Sequence, residues 1–178
     1  MSNIKVGVFD SNAGLVSDEQ YHQVVKWLCL RARRRIFATI FIVDIMPSDD
    51  NDRQNLVVNL LNDLQAACLR GVDVRLIIGG SKQNPNIQDK TEATLVHCRH
   101  LNIPCQLMSL NSNMSSHKKI VVADDRVLVG SHNWSSGAFS GQIQDSVLTE
   151  DPRLASHLAD ELAVQWRELL KEGGNATV

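Results

Sequence analysis

His117 and Lys119 stand two residues apart at the head of the stretch HKKIVVADDRVLVGSHN. On an extended strand, side chains two apart share a face. An imidazole and an ammonium would then stand together there, with Lys118 pointing the other way. Such a pair is a poor core and a good phosphate site. The ammonium supplies fixed positive charge to nonbridging oxygens, and the imidazole can act as nucleophile or acid. Gly130, Ser131 and Asn133 follow the next apolar run. Glycine permits a tight backbone, and the serine and asparagine side chains can donate to a bound anion. A single strand histidine is usually a satisfied, partly buried one. Lys119, Asp124, Gly130, Ser131 and Asn133 in register with His117 turn the reading toward chemistry. Asp124 falls at a turn and can be a plain turn residue. His132, between Ser131 and Asn133, reads as a bystander.

Taken together, these positions resemble the phospholipase D superfamily, whose pattern is HxK, four residues, Asp, about six residues, then GSxN. Here it reads His117-x-Lys119, four residues, Asp124, five residues, Gly130-Ser131-x-Asn133. A hairpin turn absorbs the one-residue shortening. Small nuclease-like members carry an acidic residue ahead of a later strand, and Asp145-Ser-Val-Leu fills that slot after a one-residue insertion. Gln144 is the neighbouring residue that could face the site instead. The surrounding layout also matches, over nearly the whole chain.

The resemblance implies a phosphodiesterase working through a covalent histidine intermediate. One imidazole attacks phosphorus, and a second protonates the leaving oxygen and then activates water. His22, His97, His100 and His157 have no lysine two residues on, so the chain has one motif. Small one-motif members pair as homodimers, each site drawing on both copies. By the same resemblance His117, Lys119, Asn133 and Asp145 are the catalytic set. Lys119, Asn133 and Ser131 hold the phosphate, Asp124 and Gly130 support the site, and Asp145 orients His117. No metal or other cofactor is required, because the lysines supply the charge.

The elements that must position this set follow from periodicity. Val6 and Val8 alternate as a first strand. Residues 18–33 carry Tyr21, Val24, Val25, Leu28 and Ala32 at helical spacing, with Ser17 as N-cap. The apolar run 36–43 has strand length and both faces covered. Residues 53–70 present Leu56, Val57, Leu60, Leu61, Leu64 and Cys68 on one helical face, capped by DDNDR (49–53) and ended by Gly71 at C′. Strand 72–78, loop 79–86, a helix near 88–101, a short strand around 104–108 and a polar loop 110–116 lead into the motif. Strands Lys118–Ala123 and Arg126–Val129 flank a turn at Asp124–Asp125, another strand falls near 143–149, and a final helix carries Leu154, Leu158, Leu162, Trp166 and Leu169. The expected class is α/β: a mixed β-sheet sandwiched between helices, one domain over 1–172, with 173–178 a disordered tail.

The 178 residues carry a formal charge of −2, are 43% hydrophobic and 21% charged. That excludes wholesale disorder and a histone-like basic binder, but not a local basic patch. Cys29, Cys68, Cys98 and Cys105 lack metal-type spacing and are too sparse for a disulfide scaffold, so they read as reduced thiols. His97, Cys98, His100 and Cys105 fit a helix end better than a zinc site. The run KWLCLRARRR (26–35) holds five cations; it reads as a solvated helix end or as a contact to backbone phosphate. No apolar run approaches the ~20 residues of a membrane span, and no signal-peptide core is visible, giving a cytoplasmic expectation. The expected function is a metal-independent endonuclease of little specificity acting on DNA or RNA. The alternatives are a phospholipase or cardiolipin-type lipid hydrolase, for which aromatics at 4% leave no apolar rim, and a weakly catalytic nucleic-acid-binding dimer.

Overall fold

The apolar run beginning at Ile36 becomes the centre of the sheet. In the computed structural model, which describes residues 7–8, 12–46, 51–81, 84–108 and 116–173, strand β3 (Arg35–Ile40) is buried along both faces. Ile36, Ala38 and Ile40 join the larger of two apolar clusters, and Phe37 joins the other. This alternation is the period-two rule applied to a strand covered on both sides.

The chain runs β1 (Gly7–Val8), β2 (Ala13–Ser17), α1 (Gln20–Arg31), β3, α2 (Asn51–Leu69), β4 (Asp73–Ile78), α3 (Pro85–His100), β5 (Cys105–Leu107), β6 (Lys119–Ala123), β7 (Arg126–Gly130), α4 (Ser136–Ser140), β8 (Asp145–Glu150) and α5 (Pro152–Gly173). The strands form one sheet in the order β1-β2-β8-β7-β6-β3-β4-β5. β3, β4 and β5 pair in parallel, and every other pairing is antiparallel. The mixed sheet between helices is the expected architecture. The apolar faces of α1 and α2 bury Val24, Val25, Leu28, Val57, Leu60, Leu61 and Leu64 in the larger cluster, and α5 covers Phe37, Ile77, Val122 and Val127 on the opposite face.

Several expectations shift. Ser17 is not a helix cap: it is the last residue of β2, a strand absent from the sequence reading, and α1 starts three residues later. The turn between them places Asp18 at φ 46°. α3 begins at Pro85 rather than near 88, because the Asn84 side chain accepts from the Ile87 N–H and proline suits the first helical turn. Asn51–Arg53 lie inside α2 rather than in a capping loop. In the first turns of α5, Ala155 and Ala159 make the buried contact, while Leu154 stays exposed. α4, capped by the Ser135 side chain on the Ala138 N–H, was also unexpected. Gly71 does end α2, at φ 84°. Val6, residues 49–50, the loop 110–115 and the tail beyond Gly173 lie outside the described residues.

Asp124 fixes the end of β6 remote from His117. Its carboxylate accepts the backbone N–H groups of Arg33 (2.9 Å), Arg34 (2.9 Å) and Arg35 (3.1 Å). The β6–β7 turn is thereby tied to the entry of β3, and Asp124 itself adopts φ 52°. Burial works to raise its carboxyl pKa, but the three N–H donors and Arg34 outweigh it and hold the group below its ordinary value. A carboxylate with a depressed pKa contributes stability that is complete above the unfolded value near 4 and fades as the pH falls through the folded one. We expect Asp124→Ala to cost about 2 kcal/mol in urea melts at pH 7. The gap to wild type should shrink when the melts are repeated below pH ~4.

Candidate active site

Ile40 ends β3 as the pairing partner of Lys119. Past it, the chain leaves the strand but keeps its backbone bonds. The Gly79 N–H donates to Ile40 O (2.8 Å), the Trp134 N–H to Ile42 O (2.9 Å) and the Asp44 N–H to Trp134 O (2.8 Å). Val43 and Trp134 form an isolated parallel bridge. The segment Phe41–Asp44 therefore holds the residues after β7 on one side and receives the start of β6 on the other.

The candidate side chains gather on this segment. His117, exposed just before β6, stacks on the buried Phe41 ring with centroids 3.9 Å apart and planes 23° apart. Lys119 Nζ lies 5.2 Å from the centroid of the same ring and donates to the His117 carbonyl at 2.7 Å. The imidazole and ammonium thus share one aromatic plate. Partial burial lowers the Lys119 pKa from its ordinary value. Asn133 Oδ1 accepts the Ile42 N–H at 3.2 Å. Its oxygen is thereby engaged, and its NH2 is the end that can donate to a ligand.

Gly130 and Ser131 join this site to β8. Gly130 pairs with Ser146, and a Cβ at 130 would lie 2.2 Å from Ser146 Oγ and 2.4 Å from Asp145 O. The strands approach too closely for any side chain. Ser131 donates its N–H to Asp145 O (3.0 Å), and its hydroxyl bonds both the carbonyl and the N–H of Asp145 at 3.2 Å. The hydroxyl expected to face substrate is engaged with the β8 backbone. The Asp145 carboxylate accepts from the Ser17 hydroxyl across the β2–β8 ladder. Among the described residues no hydrogen bond or ion pair joins it to His117. Gln144 bonds Gln142 through its side chain (2.6 Å) and Asp18 through its N–H (2.9 Å).

Two residues of this assembly escaped the sequence reading. Phe41 was counted with the apolar strand, although it carries His117 and Lys119. Gly79 was read as loop, yet a Cβ there would lie 2.7 Å from Phe41 O and 2.9 Å from its ring, so glycine lets the plate sit. His132 proves to be a core residue: it is fully buried, stacks on Tyr21 at 4.2 Å and 8°, and its Nδ1 lies 2.8 Å from Ser146 Oγ. Among the described residues no group of three or more His, Cys, Asp or Glu side chains is arranged to hold a metal ion. His97, Cys98, His100 and Cys105 form no such group.

A family model described as "Cardiolipin synthase, PLD-like domain" matches residues 32–166, which is more than half of the chain and spans the whole motif. The chain belongs to the phospholipase D-like family. Among solved structures, this phospholipase D-like chain is similar to the phospholipase D family member Nuc from Salmonella typhimurium, with a TM-score of 0.67 and 20% identity over 87% of this chain and 95% of that one. It is similar to NucT from Helicobacter pylori, with 0.59 and 18% over 89% and 95%. It also matches phosphatidylserine synthase from Haemophilus influenzae Rd KW20, with 0.60 and 14% over 84% of this chain and 35% of that one. No curated protein matches its sequence. No helix among the described residues is long and apolar enough to cross a membrane.

His132 supplies the test of this packing. Burial lowers its pKa, against the opposing pull of the Asp18 and Asp145 carboxylates. The fold prefers the neutral ring, so its contribution is complete above the ordinary imidazole value near 6.5 and is lost as the pH falls through the folded value. His132→Ala should cost about 2–3 kcal/mol in thermal or urea melts at pH 8. Between pH 7.5 and 5 its stability should fall less steeply than that of wild type.

Proposed function

We propose that the chain is a metal-independent phosphodiesterase, a nuclease of little sequence specificity that cleaves DNA or RNA through a phosphohistidine intermediate. The observation that carries this reading is the convergence of His117, Lys119 and Asn133 on the Phe41–Asp44 segment. A ring nitrogen of His117 attacks phosphorus while the bond to the leaving oxygen breaks. A second imidazole gives that oxygen its proton. The same imidazole then takes a proton from water, whose oxygen attacks phosphorus and releases His117. Lys119 and the Asn133 NH2 face the nonbridging oxygens, where charge builds in the transition state. In this reading lysine occupies the place a metal ion takes elsewhere.

The second imidazole is His117 of another copy. His132 is locked in the core and is a poor substitute. One sheet face offers a surface that a second copy could cover. Leu15, Val147 and Val129 form one row across β2, β8 and β7, and are 40%, 42% and 41% exposed. Asp145 and Ser17 are the next pair on that face. A carboxylate to orient His117 would come from across this interface, since Asp145 does not reach it within one chain.

The likeness to Nuc and NucT supports the nucleic-acid reading. A lipid reading keeps support from the family model's description, so both substrates belong in the assay. Wild type should cleave single- or double-stranded nucleic acid in EDTA and leave phosphatidyl lipid intact. His117→Ala should abolish turnover with fold retained, and Lys119→Ala should lower it by 10²–10³, about 3–4 kcal/mol. Activity lost in EDTA and restored by magnesium would contradict the metal-free mechanism, and lipid as the only substrate cleaved would contradict the nuclease.

A further inference from the structure

At the opposite end of β6 from Lys119, roughly 17 Å away at about 3.3 Å per residue, the chain forms a cavity of about 610 Å³. That lies within the ~300–1,000 Å³ range of ligand pockets. Its lining includes Trp27, Arg31, Arg33, Arg70, Arg126 and Asp124. Four arginines line it, in a chain of net charge −2.

The carboxylates nearby offset them only in part. Asp124 spends its oxygens on three backbone N–H groups. Glu150 pairs with Arg126 at 3.0 Å, and Asp125 pairs with Arg34 at 2.6 Å. Among the described residues, no carboxylate forms an ion pair with Arg31 or Arg33, while Arg70 has the Asp63 carboxylate within electrostatic reach. Arg70 does bond the Cys29 carbonyl at 2.6 Å, which answers the C-terminal end of α1 and fixes that guanidinium in place. Arg31 and Arg33 are exposed. Satisfying the helix end therefore accounts for one arginine and leaves two.

Trp27 adds a planar apolar wall. The Arg126 guanidinium carbon lies 5.1 Å from its ring centroid, a cation–π contact that orders both groups. Guanidinium forks match phosphate oxygens bidentately, and indole packs against a base. A bare anion would need only the arginines; the aromatic wall beside them selects a phosphate that carries a ring.

We infer that this pocket is a second phosphate site, which binds a nucleotide unit without cleaving it. The unit can be part of a strand or a free nucleotide, since both present the same phosphate and base. The inference does not depend on the catalytic reading, because the pocket holds none of the groups at His117.

The test is binding to the full chain carrying His117→Ala, so that no probe is consumed. A 12-nucleotide single strand and adenosine 5′-monophosphate are titrated separately, and the indole N–H resonances are followed by NMR, with Trp27 assigned through Trp27→Phe. The Trp27 resonance should move while those of the buried Trp134 and Trp166 stay. Arg31→Gln/Arg33→Gln, with an unchanged melting temperature, should weaken binding at least tenfold. For the strand it should also reduce the slope of log K against log salt by about 1.4, since each single-strand phosphate contact contributes about 0.7. A response to both probes identifies a nucleotide site, and a response to the strand alone identifies a strand tract. No Trp27 shift with either probe, or affinities within twofold in the double variant, overturns the inference. Cleavage by wild type with an unresponsive pocket sinks this inference alone. A responsive pocket with no cleavage sinks only the catalytic reading.

Discussion

Where the central strand ends, its backbone passes from one set of partners to another without a gap. Ile40 pairs with Ile78 and Lys119; two residues later Ile42 accepts the Trp134 N–H and gives its own N–H to Asn133. Each such bond is worth on the order of 1 kcal/mol net, but an unpaired buried amide would cost more than that. The handover therefore fixes where both halves of the motif lie. The first half arrives by way of the Phe41 ring, which carries His117 and Lys119. The second arrives by way of the Asn133 carboxamide. The motif works as a unit because one four-residue segment serves as the partner of both halves.

The glycines show how little slack this leaves. Gly79 admits Phe41 and Gly130 admits β8, each at distances a Cβ could not tolerate. At the far end of β6, Asp124 ties the β6–β7 turn to the entry of β3. β6 is thus pinned at both ends, with His117 and Lys119 at one and a structural carboxylate at the other. The arginines gathered around Asp124 give that second end a charge of its own, separated from His117 and Lys119 by the length of the strand.

Much of this was legible in the residues. The near-continuous apolar run from Ile36 and the helical faces of α1, α2 and α5 marked the layers, since burial on a regular element leaves a regular trace. The spacing of the HxK and GSxN positions carried the resemblance to the phospholipase D family, which the family model over 32–166 bears out. What stayed hidden was set by tertiary partners. Ser17 looked like a helix cap because serine suits both a cap and a strand end; the deciding partner, Asp145, is 128 residues away. Phe41 looked like core because it is core on one side, and only the fold shows that His117 lies on the other. His132 looked like a spacer, and its burial against Tyr21 depends on α1, which no local pattern connects to the motif.

We propose that His117 has two roles in one site and that two chains supply them. Heterodimers of wild-type and His117→Ala chains, purified through two different tags, test it directly. Each composite site then retains one imidazole, which can attack phosphorus or protonate the leaving oxygen but not both. Turnover should lie near that of the His117→Ala homodimer, far below half the wild-type rate. Heterodimers working at half the wild-type rate or better would contradict it, because each chain would then hold a complete site of its own.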